Sequence, residues 1–295
     1  MAGKLILLII LIINLLSLEA FSNNEFSFLQ LSQRKNDTIS PDSSFRAVKV
    51  SGYRTLPVEY GRVTGFDFLD AQRIICLSNS TGSFHIFNLR TRKTERKIVF
   101  ATAGDYQAIT VAGNKIFIAC ADGRIIEVSN FRSQNRSVKE YGTHLTLRQN
   151  VSGICYDRTN RRLLVSIRDI DESGTNVKGI YSFDPVSHIM TVAPVIKINL
   201  GDSLINPANS RKLQQLVQPS DLDIQESKRR IYMCSAVKSQ LIVVNEDGTV
   251  AHVYGLPRDR INQPEGIRIT PSGDIYVVSS GSKDEPGKLF RITLP

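Results

Sequence analysis

The chain has 295 residues, with 37 Lys and Arg against 28 Asp and Glu and a formal net charge of +9. That length holds one large domain or two small ones. The basic residues are scattered through turns such as "RTRKTERK" and "SKRR", which argues against a nucleic-acid footprint and leaves at most a weak attraction to anionic surfaces.

The first 22 residues read as an export leader. Lys4 supplies the charged start, Leu5 to Leu16 is apolar apart from Asn14, and Ala20-Phe21-Ser22 offers small residues before a cut. Cleavage is expected, with a membrane anchor as the alternative. Residues 23–44 are expected to be disordered or extended, and the folded domain to span 45–295. Phe45 to Tyr53, "FRAVKVSGY", is a strand-like run with no repeat of its own.

From there five segments share one plan of apolar strand, turn, strand, turn, strand. They are "VTGFDFLDAQRIICLSNSTGSFHIFNL", "YQAITVAGNKIFIACADGRIIEVSN", "VSGICYDRTNRRLLVSIRDIDESGTNVKGIYSFD", "QPSDLDIQESKRRIYMCSAVKSQLIVVNEDG" and "QPEGIRITPSGDIYVVSSGSKDEPGKLFRI". Taking Gly65, Ala108, Gly153, Leu222 and Gly266 as equivalent gives intervals of 43, 45, 69 and 44 residues. The long interval contains an insertion in which Asn206 to Leu216 is expected to form a short helix, capped by Asn206 with Pro207 in the first turn. Units of this length built from short antiparallel strands predict an all-β fold, a five-bladed β-propeller. The last segment ends after its third strand, so the N-terminal run is expected to supply the fourth and close the ring. Six blades is the alternative, requiring an irregular blade within the insertion.

Cys76, Cys120 and Cys234 fall in second strands of different repeats and Cys155 in a first strand, too far apart for disulfide geometry. Buried free thiols are expected. The phrases "VSGICYDRTNRRLLVSIRD", "PSDLDIQESKRRIYMCSAVKSQLIVVNEDGTV" and "PEGIRITPSGDIYVVSSGSKDEPGKLFRI" resemble the SdiA-regulated family of exported bacterial β-propellers and, more distantly, NHL-repeat proteins. The resemblance implies a five-bladed propeller of the envelope, a calcium site in at least one member, and no assigned catalysis. It also implies an acidic residue ahead of the inner strand. The corresponding residues here are Thr64, Gln107, Ser152, Asp221 and Glu265.

Residues just before each inner strand should converge at one mouth of the channel. That set is Thr64, Asp105, Gln107, Asn150, Ser152, Gln218, Ser220, Asp221, Asn262, Gln263 and Glu265. They could bind a small polar ligand, supply oxygens to Ca2+ through Asp221 and Glu265, or simply cap turns around a water-filled channel. A weaker calcium candidate is "RDIDESGTN", with Asp169 and Asp171 spaced as at the start of a calcium loop but without its later Glu. "GDSL" at Gly201 to Leu204 lacks the Asp-x-x-His of the esterases named for it, so Ser203 reads as a turn residue. His85, His144, His188 and His252 occupy unrelated repeat positions and read as surface or strand residues. The sequons at Asn36, Asn79, Asn135 and Asn150 carry weight only in a eukaryotic secretory pathway.

The functional expectation is a monomeric, periplasmic or secreted binding or scaffolding propeller, recognising a small polar ligand or an envelope protein. The alternative is a metal-dependent lactonase or esterase using channel carboxylates.

Overall fold

The computed structural model describes residues 45–295 apart from Ser80 and Lys283. The leader expected at 1–22 and the segment 23–44 expected to be disordered or extended lie outside the described residues. Among the described residues no helix is long and apolar enough to cross a membrane.

Among the described residues twenty strands form five four-stranded antiparallel sheets. Strand β1 (Lys49–Thr55) is followed by the first blade, β2 (Val63–Phe68), β3 (Arg73–Ser78), β4 (Ser83–Asn88) and β5 (Lys93–Val99). The second blade is β6 (Tyr106–Ala112), β7 (Lys115–Cys120), β8 (Ile125–Ser129) and β9 (Ser137–Tyr141). The third is β10 (Val151–Asp157), β11 (Arg162–Ile167), β12 (Val177–Phe183) and β13 (Ile196–Asn199). The fourth is β14 (Asp221–Gln225), β15 (Arg230–Ser235), β16 (Gln240–Asn245) and β17 (Val250–Gly255). The fifth takes β18 (Pro264–Ile269), β19 (Ile275–Ser279) and β20 (Lys288–Thr293) from the C-terminus and β1 from the N-terminus. Inner strands β2, β6, β10, β14 and β18 neighbour one another in a closed ring, which is a five-bladed β-propeller.

The apolar core is divided among the blade interfaces. Each of five clusters joins two successive sheets, from Ile75 and Phe84 against Ile118 and Phe131 round to Phe66 and Phe87 against Tyr276 and Leu289. A middle strand is therefore covered on both faces, and its sequence is a continuous apolar run such as "RIICLS", with only its first residue half-exposed. Outer strands face water and turn polar, as in "KTERKIV" and "SVKEY". All four cysteines are buried and free, in keeping with their spacing. Electrostatics reinforce one interface. Burial pushes Asp157 up, but bidentate Arg229 of the next blade at 2.9 Å, with Asn160 and Arg162, holds it down at about 2.

Ring closure follows the expectation. β1 lies antiparallel to β20, Val50 opposite Ile292 and Tyr53 opposite Phe290, while Val48 N donates to Gly255 O of the fourth blade at 3.0 Å. The insertion does not follow it. In place of a helix over Asn206 to Leu216 the chain forms turns and one 3-10 turn, Leu213–Gln215. Asn206 binds Ser210 in both directions, and Asn209 at φ 51° breaks helical continuity between them.

Strand directions alternate, so two faces follow from topology. First-to-second and third-to-fourth loops share one face, while second-to-third loops and blade-to-blade links share the other, here termed the mouth face. Because Val50 is buried in the interface of the fourth and fifth blades, Val50→Asp is expected to cost about 3 kcal/mol in urea unfolding. Exposed Lys49→Asp on the same strand should cost less than about 0.5 kcal/mol.

Candidate functional site

Pairing register decides which side chains share a level of the channel. Gly65, Ala108, Gly153 and Gly266 lie opposite Leu77, Ala119, Ser166 and Val278, the penultimate residues of the second strands. In the fourth blade the residue opposite the penultimate Cys234 is Asp221. The equivalence drawn through Leu222 is thus one residue out: "QPSDLDI" matches "QPEGIRI" residue for residue, and Leu222 corresponds to Ile267. Thr64, Gln107, Ser152 and Glu265 sit at a register shift in their strands, and their counterpart is Ser220 rather than Asp221. β14 pairs without such a shift, so counting from its first apolar residue slips the frame.

Space explains the small residues at this level. A Cβ on Gly65 would lie 3.1 Å from Ala108 Cα, and one on Gly153 would lie 2.9 Å from Asp221 Cα. Asp221 is the exception, and its carboxylate accepts Ile154 N at 3.3 Å and Ile267 N at 3.2 Å from the two flanking blades.

Two residues further along, the next level holds Asp67, Thr110, Cys155, Asp223 and Arg268. Arg268, with a side chain 3% exposed, fills the channel and touches every blade. It donates to the carbonyls of Ile109 at 2.5 Å, Ile154 at 3.0 Å, Leu222 at 3.2 Å and Ile267 at 2.5 Å. It pairs with Asp221 at 2.6 Å and Asp67 at 3.5 Å. Asp67 in turn accepts Thr110 Oγ1 at 3.0 Å and Val111 N at 2.7 Å, and Asp223 accepts Ile269 N at 2.6 Å.

Three carboxylates thus surround one guanidinium. Burial pushes Asp221 up to about 6, opposed by Arg268 and the amides of Ile267 and Leu222, and its 2.6 Å contact with the guanidinium makes it the ion partner. Burial pushes Asp223 further, to about 7, with Asp67 adding to the rise and Arg268 opposing it. A carboxyl titrating near neutrality relieves the excess negative charge.

At the mouth the expected residues separate into groups. Thr64 Oγ1 donates to Tyr106 O of the next blade at 2.8 Å. Asn79, Asp105 and Gln107 form an exposed chain, with Gln107 Nε2 2.5 Å from Asp105. Asn150 donates to Asp169 at 2.8 Å, and Ser152 is buried with its hydroxyl unpaired. Gln218 is half-buried, and Gln263 is exposed with φ 51°. Glu265 is raised by burial, against the pull of Arg62, 3.2 Å away, and of Arg168. Asp221 lies below this group in the channel wall.

Asp221 and Glu265 do not fit a calcium ion, because each faces a cation of the chain itself. Arg268 meets Asp221 and Arg62 meets Glu265. In the "RDIDESGTN" loop, buried Lys178 donates to the carbonyls of Arg168 and Asp169. Asp171 is taken up by the amides of Gly179 and Ser173 and the Tyr181 hydroxyl. Among the described residues no three His, Cys, Asp or Glu side chains converge as metal ligands. Ser203 lies in a turn where Asp202 accepts Leu204 N at 2.8 Å. His85 is stacked on Tyr60 in β4, and His188 on Tyr141.

No protein-family profile and no curated protein sequence matches this chain. Solved structures do. A glutaminyl cyclase of Myxococcus xanthus is similar with a TM-score of 0.59 at 15% identity, over 84% of this chain and 96% of that one. A protein of unknown function from Bacteroides thetaiotaomicron is similar with a TM-score of 0.53 at 9% identity, over 85% of this chain and 74% of that one. At these identities the likeness is one of fold.

Around the mouth, loops carry exposed aliphatic side chains: Val58, Leu147, Ile170, Leu204 and Val237. All five belong to second-to-third loops or blade-to-blade links and so to the mouth face. Sequence reasoning missed this rim, and also missed Arg268, Asp67 and Asp223. The signal for the latter was present, as polar residues two places after the small residue of an otherwise apolar strand.

Two outcomes follow. Arg268→Met keeps an unbranched apolar stem but removes the guanidinium and leaves carboxylates and carbonyls unmatched, and is expected to destabilise the fold by about 3–5 kcal/mol in urea unfolding. Between about pH 4, the unfolded value for Asp, and about 7 the folded chain holds a proton on Asp223 that the unfolded chain releases. This contribution to stability therefore falls as pH rises through that window. Thermal melts should show Asp223→Asn gaining on the wild type from pH 4 to pH 8.

Proposed function

We propose that this protein is an exported binding module of the cell envelope that receives a protein or peptide partner on its mouth face, as a relative of the SdiA-regulated propellers. The observation that carries this reading is the rim: five exposed aliphatic side chains, all on loops of one face, share that face with polar groups that include Arg62, Glu265 and Asp105. Apolar contacts around hydrogen-bonding groups suit recognition of another chain. The hydrolase alternative needs channel carboxylates free to hold a divalent cation, and the pairing of Asp221 with Arg268 and Glu265 with Arg62 favours binding over turnover.

The test is affinity capture from envelope extract, with a Leu147→Asp, Val237→Asp double variant as the matched control, followed by reconstitution with the purified partner. The expected result is a partner whose affinity falls at least about 10-fold in the variant at unchanged melting temperature. Binding that ignores the rim substitutions, or hydrolysis of lactones or esters that requires an added divalent cation, would overturn the reading.

A further inference from the structure

The opposite face carries a second exposed apolar feature, confined to the link between β12 and β13. Val186 is 82% exposed, Ile189 68% and Val192 82%. These three side chains lie within seven residues of chain, at and just after a turn that its own bonds hold in shape. Asp184 N donates to Ile189 O at 2.9 Å, His188 N to Asp184 O at 2.8 Å, and Phe183 bridges to Met190. The His188 ring stacks on Tyr141 of the second blade at 4.0 Å, and its Nε2 lies 3.0 Å from Glu127. The apolar tip is therefore presented on a rigid base.

The acidic groups around it are engaged, Glu226 beside Arg158 by Arg229 at 2.7 Å, and cations are left over. Asp184 spends its carboxylate on the amides of Val186 and Ser187, and Glu127 is taken up by Lys115, His188 and Ser129. Arg161 lies beside the turn, because Leu163 pairs with Phe183, and Arg158 is in the same hairpin loop. Lys139 pairs in register with Glu127 across β8 and β9. All three cations are exposed, and none appears in an ion pair among the described residues.

We propose that this turn docks the propeller on an anionic lipid surface, with Val186, Ile189 and Val192 entering the headgroup region and Arg158, Arg161 and Lys139 meeting the lipid charges. Aliphatic tips bordered by unpaired cations are what such a surface recognises. A second copy of the chain would bring like charges together across the same face, in a protein already at +9. Because the turn lies on the face opposite the mouth, a docked ring presents its mouth away from the membrane. This inference stands independently of the partner proposed for the mouth.

The chain contains no Trp, so one introduced indole reports its own surroundings whatever the leader does. In the full-length protein, Ile189→Trp emission is expected to shift to the blue with phosphatidylcholine vesicles containing phosphatidylglycerol, and to stay unchanged with phosphatidylcholine alone. A Val237→Trp reporter on the mouth face should not respond to either. Vesicle flotation should show at least about 10-fold weaker binding for Val186→Ser, Ile189→Ser, Val192→Ser, and a comparable loss for Arg158→Glu, Arg161→Glu, both at wild-type melting temperature. Absence of the Ile189→Trp shift overturns the proposal. So does equal response to neutral vesicles, or a concentration-dependent dimer in light scattering that the triple Ser variant abolishes.

Discussion

One guanidinium holds the centre of this ring. Inner strands of five blades converge so closely that at one level four of the five facing residues are Gly or Ala, and carbonyls that a sheet would satisfy sideways are turned towards the axis. Arg268 answers four of these carbonyls, from Ile109, Ile154, Leu222 and Ile267, and two carboxylates besides. Its planar, five-donor fork suits that geometry, and an ammonium could not reach as many acceptors. Each blade contributes something to the clamp, so the closure of the ring and the filling of its channel are one arrangement.

Cations of the chain occupy the places where oxygen-rich motifs suggest metal. Arg268 faces Asp221, Arg62 faces Glu265, and Lys178 sits against the carbonyls of Arg168 and Asp169 beside Asp171. Burial lowers the Lys178 pKa to about 8, opposed by Asp171 and Asp169, so the amine is largely charged at neutral pH and acts as a fixed internal counter-ion. With its channel filled, the ring keeps its exposed apolar groups on loops at its two faces. The mouth face combines an aliphatic rim with paired polar groups, and the far face has a single rigid apolar turn bordered by cations.

Much of the architecture was legible in residue order. Five recurrences of an apolar strand after a small residue gave the blade number, and the missing fourth strand after "KLFRITLP" called for "FRAVKVSGY", which β1 fulfils by pairing with β20. The insertion was misread because Asn206 and Pro207 are good helix-starting chemistry, while Asn209 adopts a positive φ that local preference does not reveal. The candidate site was read through the wrong level of the channel. A one-residue slip at Asp221 grouped it with Glu265, although one lines the channel wall beside Arg268 and the other sits above, at the mouth beside Arg62.

The sequence by itself determined the repeat, the buried middle strands, the free thiols and the closing strand, because each follows from local periodicity and from the need to cover an edge. Tertiary structure alone decided which polar residues meet. Arg268 and Asp67 are separated by most of the folded domain in sequence and come within 3.5 Å only because the ring closes. The exposure of Val186, Ile189 and Val192 was likewise invisible in their identities. It depends on the turn leaning on Tyr141 and Glu127 of a neighbouring blade, a contact that exists only once the two sheets have packed.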